Sequence, residues 1–154
     1  MKKGIMLAVI GLVLILGSSL SYAADAGTKE EAVALVKKAV DYLKANGRDK
    51  AFEEFTNNTT GQFKDRDLYI TVFDMDMKCL AQGQKKSMVG KYMLDFKDVD
   101  GKEFMKERQA LMKANTSAWQ EYKFMNPVTK KIEPKEMYME RFEDIVVSSG
   151  VYKK

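Results

Sequence analysis

The sequence predicts an α+β fold in which a long N-terminal helix packs on a five-stranded antiparallel sheet. Residues 28–46 repeat apolar side chains at helical spacing, and five later segments are rich in β-branched and aromatic residues. Short turns join most of those segments, which makes neighbouring strands antiparallel. A long amphipathic helix must then bury its stripe against one face of the sheet.

Each element has its own sequence warrant. In "TKEEAVALVKKAVDYLKAN", Thr28 and Glu31 have capping-box spacing, and Ala32, Leu35, Val36, Ala39, Val40 and Leu43 recur at three and four residues. Gly47 stops this helix, and a second is expected over 48–55 with Ala51, Phe52 and Phe55 on one side. The polar stretch "TNNTTGQFKDRD" reads as a loop. "LYITVFDMD", residues 68–76, shows little alternation, which predicts a strand covered on both faces; "MDMK" turns the chain into the short strand "CLAQG". A third helix is expected within "DVDGKEFMKERQALMKAN", with Asp100 as its cap and Phe104, Met105, Arg108, Leu111 and Met112 on its apolar face. "AWQEYKF", "EMYMERF" and "IVVSSGVY" complete the strands, the last two joined by a tight turn at Glu143 and Asp144. Between "AWQEYKF" and "EMYMERF" both prolines, Pro127 and Pro134, mark a long loop.

Residues 1–23 read as a cleavable export signal. Lys2 and Lys3 precede 13 uncharged residues, Ile5 to Gly17, and Ser21-Tyr22-Ala23 gives a cleavage site after Ala23. The apolar run is too short to span a bilayer, which needs about 20 residues. Residues 24–154 are therefore expected to form one periplasmic domain. Losing Lys2 and Lys3 lowers the formal net charge from +4 to +2, too little to argue for nucleic acid.

Missing residue types narrow the function. There is no histidine, so Ser-His and Cys-His nucleophile pairs and imidazole metal ligands are excluded; no carboxylate pair stands out, and no catalytic residue or cofactor is expected. The single Cys79 cannot form a disulfide within the chain and reads as a buried thiol. Methionine spacing in Met75-x-Met77 and Met137-x-Met139 suits copper(I), but strand burial produces the same pattern and is preferred. "DVDG" lacks the filled ligand positions of a calcium loop.

Four segments, "KAVDYLKANGRDKAFEEF", "GQFKDRDLYITVFDMD", "VGKYMLDFKDVDGKEF" and "WQEYKFMNPVTKKIEPKEMYMERFEDIVVSSGVY", resemble in order the single Cache domain of the second type, a PAS-like extracytoplasmic sensor family. The resemblance implies a non-catalytic domain that binds a small molecule, commonly a short organic acid, for signal transduction or sequestration. Such a domain standing alone is expected to act by sequestering its ligand or by docking onto a membrane receptor, a sensor kinase or chemoreceptor. The resemblance also implies that the proline-marked loop folds over the sheet and closes a pocket. The residues it points to are Tyr69, Gln82, Trp119, Tyr122, Asn126, Lys135 and Tyr138: Lys135 as charge partner, Tyr69 and Tyr138 as hydroxyls, Trp119, Tyr122 and Phe124 as apolar wall. Trp119 and Tyr122 have opposite strand parity and share a face only across a bulge. The chain departs from the family at Gln82-Gly83, where many relatives have His-Pro, and at Phe124-Met125, where Trp-Pro is common. The alternatives are an interaction module without ligand and a copper(I)-binding protein.

Overall fold

The structure is a computed structural model that describes residues 26–153. The expected export signal at 1–23 lies outside the described residues. Among those described, no helix is long and apolar enough to cross a membrane.

Helix α1, Lys29–Asn46, begins at the expected capping box: Glu31 N–H donates to Thr28 Oγ1, and the Glu31 carboxylate accepts from Thr28 N–H. Gly47, at φ 79°, ends α1 and leads into α2, Arg48–Asn57. A short ladder pairs β1, Lys64–Asp65, inside the expected loop, with β2, Leu68–Tyr69, at the start of the strand expected over 68–76. Strands β3 (Thr71–Asp74), β4 (Cys79–Gln82), β5 (Ser117–Met125), β6 (Ile132–Phe142) and β7 (Ile145–Tyr152) form an antiparallel sheet in the order β4-β3-β7-β6-β5. Helix α3, Phe104–Ala114, precedes β5. This is the predicted α+β architecture.

The two faces of the sheet hold different cores. Val72, Ile145 and Val147 pack with Tyr138 and Phe142 against Val36, Ala39, Val40 and Leu43 of α1 and Phe55 of α2. The opposite face puts Phe73, Val146, Met137, Met139 and Tyr122 against Phe104, Met105 and Met112 of α3 and Met93. A central strand between two cores shows no alternation, and β7 is buried at every residue.

Three local expectations are corrected. Asp100 does not cap α3; Glu103 holds that position without a side-chain bond, while Asp98 accepts from the N–H groups of Asp100 and Lys102 and so fixes the turn around Gly101. The proline-marked loop is mostly strand: β5 and β6 pair without a break from Ser117↔Glu140 to Met125↔Ile132. Pro134 is tolerated there because its carbonyl accepts from Lys153 N–H. A strand residue's N and C=O point the same way, so the missing donor faces the region just past the end of β7. Finally, the segment that covers the sheet is not this hairpin but the connection between β4 and α3. It runs along β4 through Cys79 N–H to Lys91 O (2.9 Å), Gly90 N–H to Cys79 O (2.8 Å) and Met93 N–H to Met77 O (2.9 Å). It thereby covers an exposed sheet edge and lays Met88 and Met93 over the face that α3 shares.

Candidate functional site

Under α3 and this connection lies a small chamber lined by Tyr69, Phe73, Gln82, Tyr122, Met137 and Arg108, among others, with about 20 Å³ of free space. What sets it apart from ordinary core is charge. Arg108 and Lys135 are each 1% exposed.

Arg108 projects from α3 because it shares the helix face of Phe104, Met105 and Met112, all buried. Its Nε donates to Gln120 Oε1 at 3.1 Å. Gln120 is itself fixed, since its amide donates to Phe104 O (2.6 Å) and Glu107 Oε2 (2.8 Å), leaving its oxygen for the guanidinium. The Arg108 guanidinium lies 5.4, 5.7 and 5.4 Å from the ring centres of Phe73, Phe104 and Tyr122. Its Nη2 has no hydrogen-bond partner among the described residues. Cation–π contacts contribute roughly 0.5 to 2 kcal/mol each, whereas removing one ion from water costs several. The site is thus built around a cation that its own surroundings only partly satisfy.

Lys135 reaches the same region from β6. Its Nζ donates to Tyr69 Oη (2.9 Å) and Tyr152 Oη (3.3 Å) and lies 4.2 and 4.7 Å from those ring centres. Tyr152 Oη donates onward to Met125 O at 2.6 Å. Room for the lysine stem comes from Gly150 on the neighbouring strand, where a Cβ would meet Glu136 O at 2.5 Å and Lys135 Cε at 3.0 Å. Burial, reinforced by the positive charge of Arg108, pushes the Lys135 ammonium down to about 7. Burial likewise raises the phenols of Tyr69, Tyr122 and Tyr152 and pushes the Cys79 thiol up to about 12, so all four stay protonated at neutral pH.

The structure brings three of the seven sequence-identified residues to the chamber wall, Tyr69, Gln82 and Tyr122, and sets a fourth, Lys135, against Tyr69. Tyr122 stacks on Phe104 at 4.3 Å, and Gln82 accepts from Gln84 N–H and approaches Met88 Sδ. The other three lie elsewhere. Because β5 and β6 pair without a bulge, Trp119 and Tyr138 point to the opposite face, 5.3 Å apart, with Lys29 of α1 over the indole. Asn126 organises the β5–β6 turn, donating to Glu133 and accepting from Val128 N–H. Arg108 was read from sequence only as part of a helical stripe; an arginine at a stripe position flanked by Met105 and Met112 was the available pointer to a buried charge. Met77, Met137 and Met139 are buried in the core shared with α3.

A sheet that gives one face to a long helix and keeps fixed charge beneath a cover on the other has the layout of a PAS-like sensor module. The chain belongs to the single Cache domain 2 family, which it matches over residues 10–154. Cache sensor domains are non-catalytic ligand-binding modules. Three solved structures share the fold. They are a methyl-accepting chemotaxis protein from Vibrio parahaemolyticus RIMD 2210633 (21% identity, 80% of this chain and 87% of that one, TM-score 0.67), a Cache chemosensory domain studied for carboxylic acid recognition (21%, 81% and 92%, TM-score 0.67) and a periplasmic sensor domain of a chemotaxis protein (20%, 81% and 90%, TM-score 0.64). No curated protein matches the sequence.

Proposed function

We propose that this chain is a periplasmic sensory domain that binds a small organic acid in the chamber beneath α3, with Arg108 and Lys135 as its charge partners. The observation that carries the reading is the pair of buried cations, neither of which meets a carboxylate among the described residues. A ligand carboxylate supplies the acceptor that Arg108 Nη2 lacks and the counter-charge that Lys135 lacks, while the aromatic and methionine walls exclude water and strengthen both contacts. The similarity to a Cache domain studied for carboxylic acid recognition supports this choice of ligand class. Signalling then follows from docking of the acid-bound form onto a membrane receptor or sensor kinase.

Thermal unfolding and calorimetry of the purified protein against acetate, propionate, lactate, pyruvate and succinate test the reading. An acid held at a hundred times its dissociation constant is expected to add about 2.7 kcal/mol of stability. Arg108→Gln, which loses a charge-assisted bond worth roughly 1.5–3 kcal/mol, is expected to weaken binding about ten- to a hundredfold. Equal binding by wild type and variant, or no response to any acid, refutes it. The same reading makes residues 1–23 a cleaved export signal; a mature mass beginning at Ala24 in the periplasmic fraction is the expected result.

A further inference from the structure

Adjoining the chamber is a second, larger cavity of about 520 Å³, open to solvent between the connection over β4 and the β5–β6 hairpin. Its volume falls in the range of ordinary small-molecule sites. Phe96, Val99, Met125 and Ile132 line it, and they are 49%, 63%, 50% and 53% exposed. Four large apolar side chains left in water around one groove mark a place where something apolar is meant to sit. Met88, Met93 and Phe124 line both the groove and the chamber, so they form the partition between the two.

The charges on the groove select the occupant's sign. Lys97 pairs with Glu103 and Lys123 with Asp100, at 3.1 and 2.7 Å. The Asp98 carboxylate is taken up by three backbone N–H groups, those of Asp100, Lys102 and Lys123. Lys85 and Lys91 also line the groove, and neither has a carboxylate partner among the described residues. The rim therefore favours an anion. The chamber behind it holds about 20 Å³, space for a water molecule and not for a carboxylate with any carbon attached. An acid that reaches Arg108 must displace part of the partition, and two of its three members are methionines, whose unbranched thioethers repack at low cost.

We propose that the ligand is an elongated amphiphilic carboxylate, a medium-chain or aryl-alkyl acid, with its head at Arg108 and its apolar body passing Met88 and Phe124 into the groove. This placement rests on the acid-binding reading above and adds the ligand's size and shape to it.

Calorimetry of the full protein with acetate, butanoate, hexanoate and octanoate is the test, together with Arg108→Gln and the groove variant Phe96→Ser/Ile132→Ser, whose two positions are half exposed. Burial of successive methylenes is expected to tighten binding about fourfold each. In the groove variant, hexanoate and octanoate are expected to lose that gain while the shortest acid that binds keeps its affinity; in Arg108→Gln all of them weaken together. Affinity that is flat or falls with chain length, with short acids still dependent on Arg108, overturns the elongated ligand and leaves acid binding standing. Octanoate binding that ignores Arg108→Gln overturns both the head placement and the reading beneath it, as does a failure of every acid to bind.

Discussion

Lys135→Met separates the buried charge from the packing of the stem that carries it. Burial pushes the Lys135 ammonium from an ordinary 10.5 down to about 7 in the folded chain. Between those values the unfolded chain holds a proton that the folded chain has released, so folding stability rises with pH. Below 7 both states are protonated and the penalty is complete, about 5 kcal/mol, because each pH interval of one between the two values contributes about 1.36 kcal/mol. Around the amine stand Tyr69, Tyr152 and Arg108, while Asp67 acts on it in the opposite sense. The Cys79 thiol, pushed up from 9.0 to about 12, offsets that gain above pH 9, because the unfolded thiol then ionises first. The clean window is therefore pH 7 to 9. Across it the wild type is expected to gain about 3 kcal/mol relative to Lys135→Met. At pH 6 the variant is expected to be the more stable protein. Urea denaturation at half-unit pH intervals measures both. Parallel curves for the two proteins, or a wild type that loses stability relative to the variant from pH 7 to 9, refute the idea that Lys135 is buried against its own charge.

Carboxylate binding restores the favoured charge on Lys135, so above pH 7 it is expected to take up a proton; calorimetry in two buffers of different ionisation enthalpy reads that uptake, and its absence counts against a Lys135–acid contact. Gly150→Ala pushes a methyl into Glu136 O and the Lys135 stem and is expected to cost about 1–3 kcal/mol by denaturation. Thr28→Ala removes the capping box of α1 and is expected to cost about 1 kcal/mol. Arg48→Ala breaks ion pairs with Glu143 and Asp144 that lie in solvent, and it is expected to change stability by less than about 1 kcal/mol.

What the sequence disclosed follows from how local each determinant is. The α1 boundaries were legible because Thr28, Glu31 and Gly47 act within one turn of their own positions. The tight Glu143-Asp144 turn was equally local, and it seats Phe142 opposite Ile145. Pro134 misled because its tolerance depends on Lys153, which is adjacent only after folding. Trp119 and Tyr138 misled for a related reason: an unbroken register fixed their face, and aromatic character says nothing about which face that is. Arg108 was visible on a helical stripe, but that its end lacks a partner is a property of three strands and a helix assembled. The candidate site is less legible than the fold because it is made by long-range neighbours.

Strand β7, Ile145–Tyr152, lies in the middle of the sheet although it follows every other strand in the chain. Until it arrives, β3–β4 and β5–β6 are two separate hairpins, each offering an unpaired inner edge. Joining them takes the non-local pairing of β3 with β7, so folding is expected to be slow for the chain's size. A polypeptide made from its N-terminus thus keeps its two halves apart to the last. A chain cut short before Ile145 is left with two open edges and no partner between them, a template for aggregation.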